Sequence, residues 1–98
     1  MKKEFYILSL NAEIDVDDIF EYSNSEFGID KAIEYHIGLI NLFIQLTSFS
    51  EEGKSRDEIR VGLRSIVYIS HIVFYRILSD HIRIVRILHQ NQNYTDYF

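Results

Sequence analysis

Apolar positions along the chain change period twice, dividing it into a short strand, two helices and a run of further strands. Phe5-Tyr6-Ile7-Leu8 is β-prone, and Asn11 beyond it is a good helix N-cap. Ala12, Val16, Ile19, Tyr22 (or Ser23) and Phe27 then recur at three- and four-residue steps, with Glu13, Asp15, Asp17, Asp18 and Glu21 on the other face. This predicts an amphipathic helix ending at Gly28, its acids crowded into the first turns where they complement the positive end of the helix dipole. A second helix is predicted from Asp30. Ala32, His36, Leu39, Phe43 and Leu46 form one stripe, and Ile33, Ile37, Ile40 and Ile44 form another. An apolar face this wide has to bury against two things, the first helix and a sheet.

Thr47 to Glu58 is polar, contains Gly53 and has no period, so it reads as one long loop. From Val61 the period becomes that of β structure. Gly62–Ile69, Ile72–Leu78 and Ile82–Leu88 are rich in Ile, Val, Tyr and Phe and are separated only by Ser70-His71 and Ser79-Asp80. Connections this short make neighbours antiparallel, so the three runs form a meander. With Ser79-Asp80 as a two-residue turn, Leu78 faces His81, Arg76 faces Arg83, Phe74 faces Val85 and Ile72 faces Ile87. Arginines directly opposite one another destabilise a sheet unless an anion shares the site, so Arg76 and Arg83 favour a carboxylate or phosphate partner. The other face carries Val73, Tyr75, Ile77, Ile82, Ile84, Arg86 and Leu88, joined by Arg64, Ile66 and Tyr68. Both faces are largely apolar and two helices cover only one, so the second is expected to be exposed and to meet another protein. The alternative is that the long loop, or the tail from Gln90 to Phe98, folds over it. The tail, polar and then aromatic, is expected to be loosely held.

Length and charge narrow the function. Ninety-eight residues permit one domain, residues 1–98, and 47% hydrophobic content suffices for a core. The formal charge of −5 argues against generic nucleic-acid binding, which needs a basic footprint. That total is unevenly spread: residues 1–50 hold three Lys and nine acids, whereas residues 51–98 hold seven Lys and Arg and six acids. From Ile59 onward every basic residue other than histidine is Arg: Arg60, Arg64, Arg76, Arg83 and Arg86. Arginine's planar fork suits carboxylates, phosphates and aromatic faces, so the set points to partner contact; the plainer reading is that these residues cover sheet edges and pair with the acidic helices.

Catalytic chemistry finds no motif. There is no cysteine, no Gly-rich phosphate loop, no nucleophile elbow and no pair of His at metal-ligand spacing, so neither cofactor nor metal is expected. Met1-Lys2-Lys3-Glu4 opens no signal-peptide pattern and no apolar run is long enough for a membrane span, so a cytoplasmic protein without membrane partners is expected.

The segment Arg56-Asp57-Glu58-Ile59-Arg60-Val61-Gly62-Leu63-Arg64-Ser65 resembles ParE-type toxins of the RelE/ParE superfamily. Ser70-His71-Ile72-Val73-Phe74-Tyr75-Arg76, Ile84-Val85-Arg86-Ile87-Leu88-His89, and Asp18-Ile19-Phe20-Glu21-Tyr22 ahead of Phe27-Gly28 match in the same order. The resemblance covers essentially the whole chain. It implies an α+β RelE/ParE-like fold: one N-terminal strand, a two-helix hairpin, then a three-stranded antiparallel meander packed on the helices. It also implies the toxin of a bacterial type II toxin–antitoxin module of the plasmid-stabilisation kind. Such a toxin is not an enzyme, inhibits DNA gyrase by binding, and is neutralised by a ParD-like antitoxin. Arg64, Tyr75, Arg76, Arg83, Arg86 and His89 are the candidate contact residues for antitoxin or target.

Two other functions stay open. One is the RelE branch, which cleaves messenger RNA on the ribosome with basic residues near the start of the third strand and after the fourth. Here Ile72 stands at the first place and Gln90-Asn91-Gln92-Asn93 at the second, leaving Arg83, Arg86 and His89 as a reduced set. The other is an orphan chain that keeps the fold without toxicity.

Overall fold

The computed structural model describes residues 2–98; Met1, part of the opening that carries no signal-peptide pattern, lies outside the described residues. Strand β1 (Phe5–Leu8) is followed by helices α1 (Leu10–Phe27) and α2 (Ile29–Ser48), strands β2 (Lys54–Ser55), β3 (Leu63–Tyr68), β4 (His71–Ile77) and β5 (His81–His89), and a 3-10 turn at Tyr94–Tyr97. The fold is α+β, with the helix hairpin and the meander as expected. The sheet, however, has five strands in the order β1-β5-β4-β3-β2. The additional strand lies inside the segment expected to be loop, where Lys54 and Ser55 pair with Ser65 and Arg64. A two-residue strand has too little sequence to show a period. At the opposite edge β1 runs parallel to β5, Phe5 beside His81 through Leu8 beside Ile84.

Helix α1 is capped by Ser9 rather than Asn11. The Ser9 hydroxyl accepts the Ala12 N–H (3.0 Å) and donates to the Val85 carbonyl (2.7 Å), a partner far away in sequence. Gly28 ends α1 at φ +89°, a conformation L side chains rarely adopt, and its carbonyl accepts the Ala32 N–H in the first turn of α2, so one residue makes the hairpin corner. Ala12, Val16 and Ser23 on α1 and Ala32, Leu39, Phe43 and Leu46 on α2 are buried, whereas Tyr22 and Phe27 are exposed. The main core joins Ala12, Val16, Leu39, Phe43 and Leu46 to Val73, Tyr75, Ile82, Ile84 and Ile87 of the sheet. Of the second stripe of α2 only Ile40 packs against them, partly buried, while Ile33, Ile37 and Ile44 are 44%, 54% and 53% exposed. A helix touching α1 and the sheet has used its available neighbours, and the remaining apolar sector faces outward.

The register begins as expected and then slips. Ile77 faces Ile82, Arg76 faces Arg83 and Tyr75 faces Ile84, but Phe74 faces Arg86 and Ile72 faces Leu88 rather than Val85 and Ile87. Val85 is therefore the extra residue of a β-bulge. The bulge sends Ile87 to the helix side and Leu88 to the far side, reversing the expected faces of these two residues. Two side chains from the first helical segment hold it. Ser9 takes the Val85 carbonyl, and Asp15 accepts the Ile87 N–H at 2.9 Å. Backbone groups displaced from a ladder need such partners when buried. The β3–β4 turn is Ile69-Ser70 rather than Ser70-His71, with Ile69 at φ +51°, a strained value for a β-branched residue.

The far face of the sheet is closed, against the expectation of an exposed one. Leu63, Ile72, Phe74 and Leu88 are buried there beneath Ile59, Val85, Tyr94 and Phe98. Phe74 lies 5.4 Å from the Tyr94 ring and 5.0 Å from the Phe98 ring, both tilted edge to face. The tail thus packs on the sheet instead of hanging loose. Arg56 completes the cover, its guanidinium 5.5 Å from the centre of the Tyr94 ring. No helix among the described residues is long and apolar enough to cross a membrane.

Candidate partner-binding surface

Arg64 and Tyr75 come together, but around a loop of their own chain. The Tyr75 side chain has no exposed surface; its hydroxyl donates to the Ser50 carbonyl (2.7 Å) and accepts the Gly53 N–H (2.9 Å), and burial pushes the phenol above its ordinary pKa. Arg64 on the neighbouring strand donates to the Gly53 carbonyl from Nε (3.1 Å) and Nη2 (2.7 Å). A Cβ at Gly53 would lie 2.6 Å from the Tyr75 hydroxyl, so the turn closes only around glycine. Tyr75, expected at a contact surface, thus sits in the interior and positions the 50–53 turn.

Arg76 and Arg83 are the expected cross-strand pair. Arg76 is half-buried and donates to the Val61 carbonyl at 3.1 Å, while Arg83 is exposed. Among the described residues no carboxylate forms an ion pair with either. Arg86 differs: its Nε and Nη2 grip both oxygens of Asp15, each at 2.8 Å, and its guanidinium lies 5.1 Å from the centre of the Tyr97 ring. A two-pronged, largely desolvated pair of this kind is among the stronger hydrogen-bonded contacts a protein makes. It also holds the Arg86 proton more firmly than usual, chiefly through the hydrogen bonds to Asp15. Along the sequence Asp15 is one member of a solvated acidic face, and only the bulge shows its role.

His89 stands at the other end of β5, opposite His71, with the two rings 5.4 Å apart and edge-on. His71 Nδ1 is 2.7 Å from the Tyr35 hydroxyl, and Tyr35 also bonds the Tyr68 carbonyl. Burial, and next the neighbouring His89, hold the His71 imidazole below its ordinary pKa, with Asp15 acting against them. The rings border a cleft of about 620 Å³ between α1, α2 and the β3–β4 turn, lined in part by Tyr22, Phe27, Tyr35 and Tyr68. The six candidate residues therefore do not form one cluster. Arg64 with Tyr75 secures a loop, Arg76 stands opposite Arg83 with no carboxylate paired to either among the described residues, Arg86 ties sheet to helix, and His89 borders the cleft. Tyr35, Tyr68 and His71 are not among the residues that the sequence singles out for contact, although His71 is legible as His89's partner once the bulged register is known.

Residues 6–94 match the family described as the ParE toxin of the type II toxin–antitoxin system, parDE. Toxin ParE1 of Caulobacter vibrioides is 34% identical over 88 residues, spanning 90% of this chain and 91% of the relative. Toxin ParE1 of Mycobacterium tuberculosis H37Rv is 32% identical over 89 residues, again spanning 90% and 91%. A solved structure described as the chromosomal ParDE TA system from P. aeruginosa matches with a TM-score of 0.76 at 19% identity, covering 89% of this chain and 95% of that one. At that identity the likeness concerns the fold.

Proposed function

Because this chain belongs to the ParE toxin family of type II toxin–antitoxin systems, we propose that it is a cytoplasmic toxin that acts by binding DNA gyrase, without catalysis of its own, and is held inactive by a ParD-like antitoxin. The observation that carries the antitoxin part is the Arg76–Arg83 pair. The two residues stand opposite each other on neighbouring strands, Arg76 donating to the Val61 carbonyl and Arg83 exposed, and no carboxylate among the described residues pairs with either. Such a pair repels itself until an anion arrives, and an acidic antitoxin segment supplies one. Arg64 and Arg86 are already engaged with Gly53 and Asp15, so neither is free to receive that anion, and His89 marks the far end of the strand that carries Arg83. Gyrase as the target rests on family membership.

The purified chain is expected to block gyrase supercoiling and to accumulate cleaved DNA, and expression without its antitoxin is expected to arrest growth. A chain that leaves gyrase untouched but cuts ribosome-bound messenger RNA overturns the target, and a chain without effect on growth overturns the toxin reading. For the antitoxin contact, Arg76→Ala with Arg83→Ala is expected to weaken antitoxin binding by about tenfold or more, since charge-assisted hydrogen bonds contribute on the order of 1.5–3 kcal/mol. Unchanged affinity would move the antitoxin elsewhere.

A further inference from the structure

Helix α2 carries two apolar stripes, and the chain buries the apolar residues of only one of them in full. Ile33, Ile37, Ile40 and Ile44 follow one another at steps of four, three and four residues. Ile40 is partly buried and packs against the core, while the other three stand about half in water. This is the a/d spacing of a coiled-coil seam, sustained for about 17 Å along the outer side of the helix. Isoleucine is a poorer helix former than Leu, Ala or Lys, so an outward row of it gains nothing for an isolated helix. The spacing selects a helix as the complementary shape, because its knobs fit the holes between such residues.

Charge selects the kind of helix. Residues 10–48, the whole hairpin, contain eight acids and a single Lys. Two of these acids, Asp30 and Glu34, fall in helical phase along one side of the ridge, and the single Lys31 reaches only Glu34, at 3.7 Å. A second copy would bring the same acids against each other, and an anionic membrane surface would be repelled in the same way. A helix whose apolar stripe is flanked by Lys and Arg is attracted.

We infer that the Ile33–Ile44 ridge of α2 is a docking surface for a basic amphipathic helix of a partner protein. It is separate from the Arg76–Arg83 pair on the sheet, which has the opposite charge preference. A chain with two such surfaces can hold an acidic segment on one and a basic helix on the other.

The test is an anisotropy titration of the full chain with a labelled synthetic peptide of about three heptads, Leu at a and d and Lys at the flanking positions, alongside a twin with Glu at those flanks. The Lys peptide is expected to bind and to weaken as salt is added, while the Glu twin does not bind. Ile37→Ser with Ile44→Ser is expected to reduce affinity for the Lys peptide by about tenfold or more, because two apolar side chains are no longer there to leave water on binding. Both positions are exposed, so the variant should keep its melting temperature, and Arg76→Ala should leave peptide binding unchanged. Failure of the Lys peptide to bind, equal binding of both peptides, or indifference to the Ser changes overturns the inference. So does a dimer of the wild-type chain, or its partition into phosphatidylcholine vesicles, that the Ser changes abolish.

Discussion

The two faces of the sheet are covered by unequal means. Helices α1 and α2, 18 and 20 residues long, close one face with side chains such as Ala12, Leu39, Phe43 and Leu46 that are almost entirely withdrawn from water. The other face is closed by Ile59 and by Tyr94 and Phe98 from the last few residues, all three only partly buried themselves. Apolar burial scales with area removed from water, so the helix face holds most of the folding free energy while the tail acts as a seal. A seal made of a chain end can be lifted without unfolding the rest, whereas helices that carry the main core cannot.

The largest effect should come from the helix face. Phe43→Ala removes a fully buried ring from the main core and is expected to lower stability by about 3–5 kcal/mol, read by denaturant unfolding. A loss below about 1 kcal/mol would mean that the helices do not dominate. Removing residues 94–98 should have a smaller consequence, about 2 kcal/mol for two partly buried aromatic side chains. It should also uncover Phe74 and create binding of a hydrophobic dye while the helical circular dichroism persists. Cooperative loss of the whole fold on truncation would erase the distinction between core and seal.

The smallest expected effect is a change of slope. His71 is held neutral by burial, so its folded-state pKa lies below the ordinary 6.5. Its contribution is complete above that pH and drains away as pH falls, because the unfolded chain takes up the proton first. Wild type should therefore lose stability on acidification below pH 6.5, and His71→Gln should show a shallower dependence in parallel melts. Identical slopes would place the titration elsewhere.

Much of the fold was legible because it depends on local period. The strand at Phe5–Leu8, the corner at Gly28, the buried stripe from Ala32 to Leu46 and the Arg76–Arg83 pairing follow from spacing and a tight turn. The candidate surface was less legible. Tyr75 looks like a contact residue until the 50–53 turn is seen wrapped around its hydroxyl, and Arg86 looks free until Asp15 is seen across the bulge. Both partners lie many residues away, and no periodic signal links them.

By itself the sequence determined the order of the two long helices and of every strand but β2, the acidic hairpin set against an arginine-bearing sheet, and the family segments. All of these are properties of neighbours along the chain. Only the tertiary structure decided the bulge at Val85, the faces given to Ile87 and Leu88, the closure of the far face by the tail, and the exposure of the Ile33–Ile44 ridge. One extra residue in a strand reverses every side chain beyond it, and an apolar stripe is buried or bare according to what is left to cover it.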